Sequence, residues 1–299
     1  MAGAILWGTT GTTQSLAPAA AQPITVGTLR LLTGGMLLLL WAWAHKRLES
    51  PLHWKRTPLL SGIIGVAAYQ LFFFSAVDRT GVAVGTIVGI GSAPVLAGIL
   101  DLAVRGEQLS RRWFASTAIA ILGCALLTLS DQEAGIDSVG IAFAIGAGAS
   151  YAVYALSSKI LLDDHAPDAV MAWLFGAGAV LLLPLLFLND VSWAFEPTGA
   201  LVVLHLGVIT VALAYILFAR GLKYVPSSTA VTLSLAEPLT AGMLGIGLLG
   251  EHLSTNAILG IALLLISLLW LAAGRSQQNK NVILPADHVT YSSETTSDL

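Results

Sequence analysis

The chain has 299 residues, of which 56% are hydrophobic and only 10% charged, with a formal net charge of −3. A soluble domain carries about a quarter charged residues, and the deficit here runs along almost the whole chain. These values exclude a soluble domain with a single anchor and predict an all-α polytopic membrane protein. Cys124 is the only cysteine, so no intrachain disulfide is available and no metal site is expected.

In chain order, the opening MAGAILWG enters a hydrophobic segment at once. It lacks a basic leader and a small-residue cleavage site, so no cleaved signal peptide is expected. Reading apolar runs against a span of about 20 residues predicts ten helices, at 2–20, 24–44, 58–77, 82–104, 113–130, 138–161, 169–188, 199–219, 227–250 and 254–274. Short polar or Gly/Pro-rich connections separate them, among them AHKRLESPLHWKRTP, RGEQLSRR and DDHAPD. The tail 275–299 is polar and without periodicity, which predicts a disordered extension.

The basic residues orient these spans. With the N-terminus inside, Lys46, Arg47, Lys55, Arg56, Arg105, Arg111, Arg112, Lys159, Arg220, Lys223, Arg275 and Lys280 all fall on the inner side. Arg79 alone falls outside, where Asp131, Glu133, Asp137, Asp190 and Glu196 gather, and Arg30 lies within the second span. This is a strong positive-inside pattern, and it predicts that both termini, including the tail, are cytoplasmic. Basic stretches such as HKRL and RRW read as orientation signals, so no nucleic-acid partner is expected.

The two halves also register on each other at an offset of 144 residues without gaps. GSAPVLAGILDLAVRGEQLS (91–110) lies over LAEPLTAGMLGIGLLGEHLS (235–254), matching Pro94 with Pro238 and the Gly-Glu-x-Leu-Ser run at 106–110 with that at 250–254. Trp7 falls on Tyr151 and Arg79 on Lys223. Five spans per half force the halves to face opposite ways. The expected fold is therefore ten transmembrane helices as two inverted five-helix repeats, 1–130 and 138–274, an arrangement that suits a carrier gating alternately around a midplane site.

Ten spans, the LLWG opening and the paired Pro…GE-x-LS segments resemble the EamA-type carriers of the drug/metabolite transporter superfamily, over about residues 1–274. Within that superfamily the chain is most similar to the YddG-like exporters of aromatic amino acids. The resemblance implies a multi-pass protein of the bacterial inner membrane. It also implies a central cavity lined by helices one, three, four, six, eight and nine.

Several residues are candidates for transport. Pro94 and Pro238 each remove a backbone donor and clash with the carbonyl four residues back, those of Ile90 and Ser234. As a matched pair they are expected to be hinges that let helices four and nine bend; taken singly, each equally fits a kink that improves packing. Glu237 is the sole charged residue between Lys223 and Glu251. An ionised carboxylate at that depth is costly and should face the bundle interior or water, as a substrate-amine contact, a proton site, or an acid bonded to backbone freed by Pro238. Arg30 is either its partner, a substrate-carboxylate contact, or a side chain snorkelling outward.

Aromatic side chains supply the rest of the expected substrate site. Tyr69 and Phe73 share one helix face at i, i+4, and Tyr151 and Tyr154 share another at i, i+3. Trp7 and Tyr215 complete the set, with Gln70 beside Tyr69; singly, each aromatic fits packing as well as a pocket. Trp41, Trp43, Trp193 and Phe195 lie at span ends and read as an interfacial belt. Gly106 and Gly250 are expected to end one helix, and Ser110 and Ser254 to cap the next.

The expected function is a secondary transporter exporting small amphipathic metabolites, aromatic amino acids first, by alternating access. No cofactor is expected, proton coupling is left open, and the lipid bilayer and a small-molecule substrate are the partners. A monomer suffices for this scheme. The alternatives are an exporter of other amino acids, nucleobases or lipophilic cations, and remotely an intramembrane serine hydrolase. For the last, GAS at 148–150 and His205 are present, but Tyr151 stands where the nucleophile turn wants glycine.

Overall fold

A computed structural model describes residues 1–128, 137–249 and 254–282, with the backbone alone described at 81–83, 127–128, 245–249 and 274–282. Among these residues every regular element is helical. Helices α1 (Ala2–Trp7) and α2 (Thr9–Ser15) form the first segment, and α3 (Pro23–Ala44) the second. Next come α4 (Arg56–Leu100), which passes into a π-turn at Asp101–Arg105, and α5 (Arg111–Thr128). The second half holds α6 (Ser138–Leu161), α7 (Pro167–Leu188), α8 (Pro197–His205), a π-helical stretch (Leu206–Leu213) and α9 (Ala214–Leu222). It closes with α10 (Ser227–Leu233), α11 (Ala236–Leu249) and α12 (Thr255–Val282).

Seven of the described helical stretches are long and apolar enough to cross a membrane, which makes this a polytopic helical membrane protein. The predicted third and fourth spans run on as one helical backbone, yet they do not form one straight rod. A Cβ built on Gly85 would lie 3.2 Å from the Val77 backbone, whereas eight residues of straight helix cover about 12 Å. The chain therefore reverses across 81–83.

The first and ninth predicted spans are both interrupted. The first changes register at Gly8 and ends at Ser15, short of the Pro18 turn; the ninth breaks at Ser234–Leu235. The two prolines thus behave differently: Pro94 stays buried inside an unbroken helix, while Pro238 follows an interruption. At the far end α12 continues through 275–282, where an unstructured tail is expected, because no breaker interrupts Arg275–Val282. Residues 283–299 lie outside the described residues.

Small residues let the helices approach. Helix α4 packs along α6, α3 along α7, and α5 along α12. On α6 the residues Ala144, Ala147, Ala152 and Ala155 are fully buried, as expected where association in lipid depends on close van der Waals contact. Ser110 accepts the Trp113 amide at 3.1 Å and Ser254 that of Ala257 at 3.2 Å, so both serines cap at positions 144 residues apart. Gly106 ends the π-turn with a left-handed φ of 65°, a conformation that glycine adopts without a Cβ clash. Gly250, Glu251 and Leu253 of the second motif lie outside the described residues, as do Asp131 and Glu133.

One expected belt residue is a core residue instead. Trp41, Trp43 and Phe195 do face outward, but Trp193 is completely buried and packs with Val26, Val202 and Leu206. Its short 3-10 turn, Ser192–Phe195, lays the ring against the Gly199 backbone. Trp193→Ala should therefore cost about 3–5 kcal/mol, whereas Trp43→Ala should stay within about 1 kcal/mol. Melting of the two variants in detergent, followed by intrinsic fluorescence, checks the contrast.

Candidate functional site

The two interrupted segments meet. A Cβ on Gly8 would fall 2.5 Å from the Thr240 Cβ and 2.8 Å from the Glu237 carbonyl oxygen, so only glycine lets the first segment touch α11 here. Beside it, Thr9 donates to the Leu6 carbonyl at 2.7 Å and lies 3.0 Å from His205 Nε2. At the break in the ninth segment the Ser234 carbonyl accepts the Glu237 amide at 2.9 Å. The carbonyl displaced by the Pro238 ring is therefore satisfied one residue early rather than left facing a cavity.

The predicted aromatics converge on this point. Trp7 stands 4.8 Å from Tyr215 and 6.5 Å, edge-on, from Tyr151. Tyr151 stacks with Tyr154 at 6.1 Å and meets Tyr69 at 6.0 Å, and Tyr69 stacks on Phe73 at 5.5 Å. The i, i+4 and i, i+3 faces are thus real ring pairs. The Tyr154 ring lies within the cluster, 5.8 Å from Tyr215 and 5.6 Å from Phe175, and its hydroxyl reaches the Met171 sulfur at 3.5 Å. Phe73 lies at the rim, against Tyr69 and Phe74.

Two rings that sequence reasoning missed belong to the cluster. Phe218 contacts Trp7 at 5.3 Å, Tyr154 at 6.2 Å, Tyr215 at 6.3 Å and Tyr151 at 6.4 Å. Phe175 lies 4.2 Å from Tyr215. The i, i+3 spacing of Tyr215 and Phe218 was an available signal for the first. For Phe175 there was none, because α7 is apolar on all sides.

The polar groups around these rings are incompletely paired. Trp7 Nε1, Gln70 Oε1, the Arg30 Nε and the Tyr151 hydroxyl are all buried without a hydrogen-bond partner. The Tyr151 hydroxyl lies beside Ser234, whose own hydroxyl donates to the Val231 carbonyl at 2.6 Å and keeps its lone pairs for an incoming donor. Arg30 does not snorkel: it is 9% exposed, and its charge acts on Glu237, Tyr69 and Tyr215. Among the described residues Arg30 and Glu237 do not form an ion pair within 4.0 Å. Buried polar atoms normally find partners, and these four lie around the same rings.

For the hydrolase alternative, Ser150 donates to the Gly146 carbonyl at 2.8 Å and His205 is engaged by Thr9. The two groups take separate partners. Among the described residues no cluster of His, Cys, Asp and Glu is arranged to hold a metal ion.

A helical, multi-pass membrane protein with an amphipathic aromatic centre is the class these features define. The chain belongs to the EamA-like transporter family, which matches it twice, over residues 1–129 and 138–273, and so to the drug/metabolite transporter superfamily. It is 45% identical over 275 residues to the uncharacterized transporter YwfM of Bacillus subtilis, covering 92% of this chain and 93% of that one. It is 28% identical over 257 residues to the threonine/homoserine exporter RhtA of Escherichia coli, covering 83% and 81%. A crystal structure with 22% sequence identity shares the fold at a TM-score of 0.80, covering 93% of this chain and 96% of that one.

The Gly8 contact yields a direct test. Gly8→Ala must push the two interrupted segments apart and should cost about 1–3 kcal/mol. Gly11→Ala, where nothing lies within 4 Å, should be neutral or slightly stabilising. Thermal melting in the same detergent separates them.

Proposed function

We propose that this protein exports small amphipathic metabolites, with aromatic amino acids the best fit, by alternating access between two inverted five-helix halves, 1–130 and 138–274, with both termini cytoplasmic. The observation that carries this reading is the coincidence of rings and unpaired polar atoms at the break in the ninth segment. Trp7, Tyr69, Tyr151, Tyr215 and Phe218 offer faces and edges on which a planar ring can stack. Arg30 and Glu237 lie on the same cluster with opposite charges, suited to a carboxylate and an ammonium group. Gln70 and the Tyr151 hydroxyl supply further partners.

The interrupted segments support a moving site. Discontinuous helices recur in transporters at the point where substrate is held, and here two of them touch through Gly8, Glu237 and Thr240. Pro94, in its unbroken helix, is the weaker hinge candidate; Pro238 is the stronger. A second reading is favoured by the likeness to RhtA, whose name specifies threonine and homoserine. In that reading Arg30 and Glu237 keep their roles and the rings serve mainly to exclude water.

Counterflow in proteoliposomes decides between them: unlabelled amino acid inside, labelled Phe, Trp, Leu, Lys, Thr or homoserine entering. Saturable exchange of Phe and Trp with weak Leu and no Lys is the expected result. Exchange confined to Thr and homoserine supports the second reading, and no amino-acid exchange removes both. Glu237→Gln and Arg30→Gln should each weaken apparent affinity roughly tenfold, the scale of a hydrogen bond to a charged group.

A further inference from the structure

Asp101 is a charged residue deep in the bundle that the transport site does not use. It is fully buried at the start of the π-turn that ends α4. Its carboxylate accepts the Ser227 hydroxyl at 2.5 Å and the Ser228 amide at 2.6 Å. Ser227 and Ser228 are the first two residues of α10, whose own sequence supplies no capping side chain. Asp101 therefore satisfies one of the orphan amides of a helix in the other half of the protein. Among the described residues no basic group pairs with it, so these hydrogen bonds and the positive end of α10 offset its charge.

The surrounding contacts make this end a closed plate. Arg105, one turn on, reaches Asp163 at 2.9 Å, joining the same π-turn to the end of α6. Lys159 donates to the Leu222 and Lys223 carbonyls at 3.0 and 2.9 Å. Asp168, also buried, takes Arg47 at 2.7 Å and Arg220 at 3.6 Å. Thr117 and Thr232 join α5 to α10 at 3.1 Å. Most of the charged groups here are partly exposed and contribute little each. Asp101 differs in having no basic partner among the described residues, and parting it from α10 strands a buried carboxylate unless water enters at the same moment.

The sequence does not repeat this contact in the other half. At the 144-residue offset, Asp101 falls on Gly245, and Ser227 and Ser228 fall on Ala83 and Val84. Residues of those types have no side chain able to repeat the bond.

We propose that Asp101 is a positioning residue that latches the cytoplasmic gate, holding α10 against α4 so that the substrate centre at Ser234–Pro238 stays shut from that side until water and substrate displace the carboxylate. This rests on the carrier reading above and its orientation. Because the latch is unrepeated at the other end, the empty protein favours the state closed toward the basic end.

The test uses full-length protein with Cys124→Ala and a single reporter cysteine, in oriented vesicles without substrate. Ser158→Cys reports the basic end, where the native side chain is fully buried; Val202→Cys reports the opposite end. Asp101→Asn keeps the size, removes the charge and leaves one acceptor oxygen where the carboxylate has two. It should raise maleimide labelling of the basic-end reporter, from the basic side, roughly tenfold and leave the opposite-end reporter unchanged or slower. Ser227→Ala, which removes one bond and no charge, should give a smaller rise with the same pattern. Lys55→Ala, which removes an exposed ion pair to Asp164, should change neither. A rise at both reporters means that the fold has loosened, and no rise at the basic-end reporter means that the gate does not depend on Asp101; either overturns the proposal. Counterflow by the parent protein, run alongside, tests the carrier reading separately, since labelling is read without substrate.

Discussion

Lipid offers no hydrogen bonds, so every peptide group at membrane depth has to be satisfied within the protein. That constraint governs the break at Ser234–Leu235. An interrupted helix in contact with hydrocarbon would leave amides and carbonyls bare at a cost of several kcal/mol each. Here the Ser234 carbonyl takes the Glu237 amide, the Leu235 amide goes to the Thr232 carbonyl, and the first segment covers the site through Gly8. The break is therefore tolerable only at the centre of the bundle. That position is also where a carrier needs polarity.

From this point the electrostatics follow. One acid and one base reach the aromatic centre, Glu237 and Arg30, close enough for the guanidinium charge to act on the carboxyl group. Neither is joined to the other by an ion pair within 4.0 Å. On the function proposed above, a direct salt bridge would complete both groups and leave neither for a zwitterionic substrate. Separation keeps each available while their mutual field reduces the penalty of holding charge away from water. At the chain surface the logic is the ordinary one: Asp137 caps α6 through the Val139 and Gly140 amides, and those bonds hold its carboxyl below the usual carboxylate range.

Much of this was legible in the sequence. Apolar run length located the helices, and the Gly-Glu-x-Leu-Ser repeat pointed to Ser110 and Ser254 as caps. The aromatic spacings on two faces also translate directly into ring pairs. What failed did so for physical reasons. Trp193 sits at a span end like a belt residue, but a short turn folds it inward against Gly199, and no periodicity records such a turn. Phe175 lies on a helix apolar all round, where no face is distinguishable. Pro94 and Pro238 look alike in sequence, yet the residue four back is Ile90 in one case and Ser234 in the other. The serine hydroxyl bonds the Val231 carbonyl and so competes with regular helix; isoleucine has nothing to offer. Asp101 was invisible because its partners lie 126 and 127 residues away.

The arrangement of rings also bears on how such a site could release what it binds. Stacking adds only about 0.5–1.5 kcal/mol per aromatic pair beyond burial, so a ring held by several neighbours is retained without a deep trap. The larger contribution is conditional. Trp7 Nε1, Gln70 Oε1, the Arg30 Nε and the Tyr151 hydroxyl are buried without a partner in the protein itself, and a buried polar atom left unpaired carries a desolvation penalty of about 1–3 kcal/mol. A substrate relieves that penalty on arrival, and water relieves it equally when either end opens. On the carrier reading proposed above, such a site crosses between two open states more readily when loaded, which is the requirement that separates a carrier from a pore.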